Sequence, residues 1–364
     1  MGFQFGRHNL LMLISLMIFS GTMLSVSSCL PEEQENLIEH AAHDPASYGD
    51  WRSKSLTERI ATAPDFVADF MMKFNQMDEQ FSAYKTRPYM PDAAFVEELD
   101  ALVKAWPREI HEMLEDNLVG IFFVSDMGSS GFATWMANAD ESYRGFILID
   151  EQAIVQTANA WVSGRAASAF RLDPGDSLVI MMEEPENNTL ARAAEFILLH
   201  EIGHQLAFAY GVHALLGEGA PPSDHPNISS YPFFAGRWQG PSNFQAMPVD
   251  STALAYYKLP FYPRFETDKL PFSKAVELYT GLPNTSYPTL LAGSGHAQYF
   301  AESFASYVHC IVQQRPYHIQ LFRQGRQVLA LDNGILGEGG AFDRAFMALF
   351  IATKGDMPTD VSMP

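Results

Sequence analysis

The chain has 364 residues, 47% of them hydrophobic, with a formal net charge of -20, so it can bury a sizeable core as one large domain, or one domain with an appendage. The charge argues against nucleic acid as a partner, because a phosphate backbone recruits Lys and Arg, and equally against electrostatic adhesion to anionic lipid. It is spread along the chain and reads as a solvated acidic surface.

In chain order, Arg7 and His8 lead into "NLLMLISLMIF", too short for a comfortable membrane span but of the right length for a signal-peptide core. Val26-Ser27-Ser28-Cys29 follows and resembles a bacterial lipobox, in which the cysteine is lipidated and becomes the new N-terminus. The plain alternative is an ordinary cleaved signal peptide, or an uncleaved anchor, with an incidental cysteine. On the lipoprotein reading, residues 1–28 are removed and the chain is held at the membrane through Cys29. Leu30 after it would fit outer-membrane sorting in a Gram-negative cell. The only other cysteine is Cys310, so lipidation of the first leaves no intramolecular disulfide.

Residues 29–55 are acidic and weakly periodic, and read as a tether that stands off the membrane. Residues 56–364 are expected to form one domain. Apolar residues recurring at three and four predict helices through about 58–83 and 92–115. "LVGIFFVS", "GFILID" and "SLVIMM" read as strands, each short and bounded by turn formers. Thr189 is a good N-cap for a helix that runs to about Tyr210, where Gly211 can end it. Residues 212–295 read as long loops with short helices. A second strong helix is expected over about 296–314, and "AFDRAFMALFIATK" closes the chain with another. Strands before the 189–210 helix and mostly helix after it predict an α+β fold, helix-rich with a small mixed sheet.

Within that helix stands "HEIGH". His200 and His204 are one turn apart, so both imidazoles project from one face at a spacing suited to zinc. Glu201 lies to the side, where it can take a proton from a water that the metal makes acidic. The bland alternative is a pair of core histidines bonded to backbone groups. A catalytic zinc needs a third protein ligand and an open position. The extended motif that would put Gly at 207 and His at 210 is absent, since those positions hold Ala207 and Tyr210.

The alternative is an acid from a later helix, and "HAQYFAESFASYVH", residues 296–309, offers one. At this point the chain resembles gluzincin metallopeptidases, and "YFAESF" is similar to the ligand helix of lethal-factor-like bacterial zinc peptidases. The resemblance covers two short helices, about a tenth of the chain, and implies a zincin-like domain with bound Zn2+. It departs from the pattern at Gln298, where related enzymes have the ligand glutamate; Glu302 stands one turn on. Glu302 is favoured as the third ligand because its charge offsets the cation's. The alternative is Gln298 in the ligand position and a weak or unusual site. The stripe Gln298, Glu302, Ser306, His309, Gln313 could also simply face water.

Tyr287 precedes the ligand helix much as an oxyanion-stabilising tyrosine does in the lethal factor, and is the candidate for that role, against a loop aromatic packed on the core. His296 and His309 could support a ligand or be ordinary helix-end residues. "YPFFAGRW" could wall a peptide cleft or cover the core, and "GSSG" at 128–131 reads as a turn. The expected function is a lipid-anchored zinc peptidase of the bacterial cell envelope acting on a peptide or protein, with Glu201 as general base. Its alternative is a binding or adhesion lipoprotein that keeps the scaffold with degraded catalysis. A zinc amidase on cell-wall peptides is compatible with the same residues.

Overall fold

A computed structural model describes residues 41–137, 143–213, 226–242, 245–262 and 265–357. The expected signal peptide, Cys29 and Leu30 lie outside them. The described part mixes helix and sheet around a central sheet of six strands: β1 (Ile60–Thr62), β2 (Arg87–Pro88), β3 (Leu118–Ser125), β4 (Gly131–Ala133), β5 (Met136–Ala137) and β6 (Tyr143–Asp150). The order is β1-β3-β6-β4, with β1, β3 and β6 parallel and β4 antiparallel at the edge. β2 pairs with β3 and β5 with β6.

Side chains alternate across a strand, so this sheet feeds two cores. Val119, Phe122, Val124, Phe146 and Leu148 join one apolar cluster with Trp51, Val67, Phe70 and Met71. Leu118, Ile121, Phe123, Ile147 and Ile149 join the other. A register shift between Leu118 and Gly120 lets Leu118 and Ile121, three apart, share a face. The first cluster is closed by α1 (Asp65–Gln76) and by residues from 42 onward. Ala42 and Trp51 are buried, and Arg59 lies over the Trp51 ring. The tether read over 29–55 is therefore part of the fold where it is described, from residue 41 on.

The helix read as continuous over 92–115 is two: α2 (Ala93–Lys104) and α3 (Arg108–Glu115). The break falls at Pro107, whose ring cannot continue a helix and pushes Trp106 out of the helical region. α4 (Ala158–Ala167) follows, then α5 (Leu190–Ala209), capped by the Thr189 hydroxyl, which accepts from Arg192 N at 3.3 Å. α5 is buried almost all round because it runs through the second core. It packs on β4 and β6 and against α2, α4 and a later helix, α7.

After α5 come short 3-10 turns, α6 (Phe272–Gly281) and α7 (His296–Tyr307), which continues as a π-helical turn to Val312. α8 (Ala341–Ala352) closes the fold. Two two-stranded pairs bind the long loops: β7 (Phe170–Arg171) with β11 (Leu270–Pro271), and β9 (Trp238–Gln239) with β10 (Met247–Pro248). The expectation of mostly helix after residue 210 is incomplete. A hairpin, β12 (His318–Arg323) and β13 (Arg326–Asp332), pairs through β12 with β8 (Ser177–Met181) to form a three-stranded antiparallel sheet. Its turn is Gln324-Gly325, both at positive φ, the twist that two-residue hairpins need. No described helix is long and apolar enough to cross a membrane.

Candidate functional site

α5 carries His200, Glu201 and His204 into a cavity of about 810 Å³. The same cavity is lined by Gly128–Ala133, Arg165, Tyr262, Lys269 and Gln298. The floor is built by a close helix crossing. A Cβ on Gly203 would stand 2.7 Å from Ala301 Cα, so only glycine lets α7 approach α5 here. One wall is the edge strand β4. A Cβ on Gly131 would stand 2.6 Å from Glu201 Oε1, and the Ala133 N–H bonds the Glu201 carboxylate.

His200 and His204 face each other through their Nε2 atoms, 3.2 Å apart. Two Zn–N bonds of about 2.0–2.1 Å at a tetrahedral angle span about 3.3 Å, so the pair has the separation a shared zinc demands. Burial drives the His204 imidazole well below its ordinary range, and His200 and His213 push it further. A neutral ring is the form that binds metal. Glu201 is pushed up to about 7, chiefly by burial and also by Glu302, against the opposing pull of His200 and the Ala133 N–H.

Glu302 sits elsewhere than the sequence reading put it. Its Oε1 lies 2.8 Å from His200 Nδ1, on the far side of the ring from the paired Nε2 atoms. Arg165 donates to Oε1 at 2.8 Å and to Oε2 at 3.2 Å, and the Thr289 hydroxyl donates to Oε2 at 2.6 Å. An ionised carboxylate offers about four lone-pair sites, and three side chains meet this one with four contacts. Glu302 is fully buried and does not line the cavity. Burial would raise its carboxyl; the Arg165 guanidinium and His200 outweigh that and hold it well below the usual carboxylate range. It is corrected from metal ligand to partner of His200. The residue one turn back, Gln298, takes the cavity position, with its side chain bonded to His204.

Among the described residues no three His, Cys, Asp or Glu side chains converge as a metal requires. The reason is local: the acid on α7 is spent behind His200, and an amide stands in front. Two imidazole nitrogens, donors of the kind zinc takes, face each other in the cavity, and the Gln298 amide lies beside His204 where an acid would complete the set.

Tyr287 is corrected as well. It is buried beneath Tyr256 and Tyr299, at ring distances of 5.8 and 5.2 Å, and does not line the cavity. Burial pushes its hydroxyl far above the ordinary range. His309 Nε2 lies between the Met182 and Pro316 carbonyl oxygens at 2.9 and 3.0 Å, and His296 packs on His213 and Trp238. Phe233, Phe234 and Trp238 of "YPFFAGRW" are core residues. The "GSSG" bend, read as a turn, also forms cavity wall: the Ser130 hydroxyl accepts from Trp161 Nε1 at 3.2 Å and bonds the Tyr262 hydroxyl. Arg165, Thr289, Tyr262 and β4 escaped the sequence reading. They stand in ordinary-looking stretches, and only the fold brings them to the site.

Comparison with family models, with curated proteins and with solved structures yields no match for this chain.

Proposed function

We propose that this chain is a zinc-dependent peptidase with a zincin-like architecture, exported and anchored through Cys29. The observation that carries the reading is the facing pair of Nε2 atoms at 3.2 Å with the buried Glu201 carboxylate beside them in one cavity. His200, His204 and the Gln298 amide oxygen would hold the metal. Zinc there supplies Lewis acidity, polarising a carbonyl and making a water acidic near neutral pH. Glu201 accepts that proton and can return it to the leaving amine. The Ala133 N–H steadies Glu201 in the position from which it does so.

The substrate is read as a peptide because of β4. Ser130 and Thr134, which flank it, bond to β6, so Gly131 and Ala133 turn their polar groups the other way, toward Glu201; there the Ser129 hydroxyl donates to the Gly131 carbonyl oxygen at 3.1 Å and the Ala133 N–H bonds the carboxylate. An extended chain that takes the place of the Ser129 hydroxyl on Gly131 could add to that edge with its carbonyl held near the base.

Gln298 favours a second reading, a binding lipoprotein with weak or lost catalysis, because an amide offsets none of the cation's charge. Metal analysis of the mature protein separates them. Close to one zinc per chain, lost in both His200→Ala and His204→Ala, supports the first; no zinc after loading ends it. Cys29→Ser should release the protein from membranes or stall its processing, and unchanged fractionation would remove the anchor.

A further inference from the structure

Arg165 does no chemistry that the peptidase reading requires, yet it is buried at the cavity edge and aimed at a carboxylate that never reaches the cavity. Its guanidinium grips Glu302 with both arms, at 2.8 and 3.2 Å, and lies over the rings of Trp161 and Phe196 at 4.9 and 5.4 Å. Those two rings, on α4 and α5, fix the plane of the fork. Thr289 closes the remaining side of Glu302 at 2.6 Å. The carboxylate is thus clamped from outside the metal site, and its one inward contact is His200 Nδ1 at 2.8 Å.

We propose that Arg165 is a positioning residue: by clamping Glu302, with Thr289, it fixes His200 in the Nδ1–H tautomer and leaves Nε2 bare toward the cavity. A carboxylate oxygen 2.8 Å from Nδ1 tolerates a proton there and not a lone pair. The tautomer of the metal-facing nitrogen is therefore set by an arginine 35 residues upstream. The fork is essential because a bidentate guanidinium holds both oxygens in one plane, which the ammonium of a lysine cannot do.

The inference rests on the peptidase reading only for its consequence, the binding of zinc; the tautomer is a property of the metal-free protein. The experiment uses the full mature chain and its Arg165→Met, Arg165→Lys and Thr289→Val variants. Nitrogen-15 NMR of the imidazoles, with His200 assigned by its absence in His200→Ala, reads the tautomer without metal. Competition with a chelator reads zinc affinity. The wild type should show a single Nδ1–H form at His200. Arg165→Met should show a mixture, with zinc affinity lower by about ten- to a hundred-fold, the usual weight of a group that orients a ligand. Arg165→Lys should recover part of both readouts, and Thr289→Val should lose less than Arg165→Met.

Wild-type tautomer and zinc affinity in Arg165→Met would overturn the proposal. Should that variant not fold, an unmixed tautomer in both Arg165→Lys and Thr289→Val would overturn it equally. A wild-type protein that holds the tautomer but takes no zinc would leave the clamp standing and sink the peptidase reading.

Discussion

At the scale of single residues, the two carboxylates near the facing His200 and His204 rings have opposite environments. Glu201 meets one backbone N–H and a cavity, and burial lifts it to about 7. Glu302 meets a guanidinium, a hydroxyl and an imidazole, and is held ionised. The charge of Glu302 is balanced by Arg165, so on the proposed reading it is not left for a metal, and the neutral Gln298 lines the cavity instead. Gln298→Glu should therefore tighten zinc, measured by chelator competition. Unchanged or weaker binding would mean that position 298 is not a donor. The grouping of His200, Glu201 and His204 was legible because two imidazoles and a carboxylate come from one turn of one helix. The role of Glu302 was not, because the residue that claims it lies 137 positions away. Tyr287 misled for a related reason: its spacing before α7 says nothing of which way the ring turns, and Tyr256 and Tyr299 draw it into the core.

At the scale of elements, the site depends on how closely α5 and α7 cross. Gly203 is the inner residue of HEIGH, and any Cβ there meets the backbone of Ala301 rather than a side chain that could move. Gly203→Ala should push the helices apart, destabilising the fold by about 1–3 kcal/mol as overpacking does. It should also weaken zinc by separating His204 from Gln298. A denaturant titration and a zinc titration check the two halves; wild-type values in both would show that the crossing can absorb the methyl group. The strands of the central sheet and the cap at Thr189 were legible because each is signalled by its own few residues. The split at Pro107 is also written locally, in the proline itself. The alternating "HIQLFR" and "RQVLALD" about a Gln-Gly turn carried the signal of a hairpin. β4 could not be read: three residues, "GFA", are too few for a period, and the strand exists because β6 offers it an edge.

At the scale of the molecule, one sheet separates two cores, and α7 and α8 are joined inside the second by a buried acid. Asp343 is fully buried and accepts from the Tyr299 and Ser303 hydroxyls, each at 2.7 Å. Burial outweighs those bonds and raises its carboxyl from 3.8 to about 7. The folded state then keeps a proton that the unfolded chain has lost between about pH 4 and about pH 7. That contribution is fully present below the unfolded value and disappears as pH rises through about 7. Asp343→Asn should remove it, so the stability difference between wild type and variant should shift in the variant's favour as pH rises across that window. Urea titrations of the metal-free proteins at a series of pH values measure this. A difference independent of pH would mean that Asp343 titrates near its ordinary value.

On the proposed function Glu201 is the base of a metal-dependent hydrolysis. The most direct test is peptide hydrolysis by the zinc-loaded protein beside the zinc-loaded Glu201→Gln variant, with zinc content measured in both. The substitution keeps the shape and removes the base. Zinc should stay bound while turnover falls by about two to four orders of magnitude. Equal turnover in the two proteins, both holding zinc, would contradict the account.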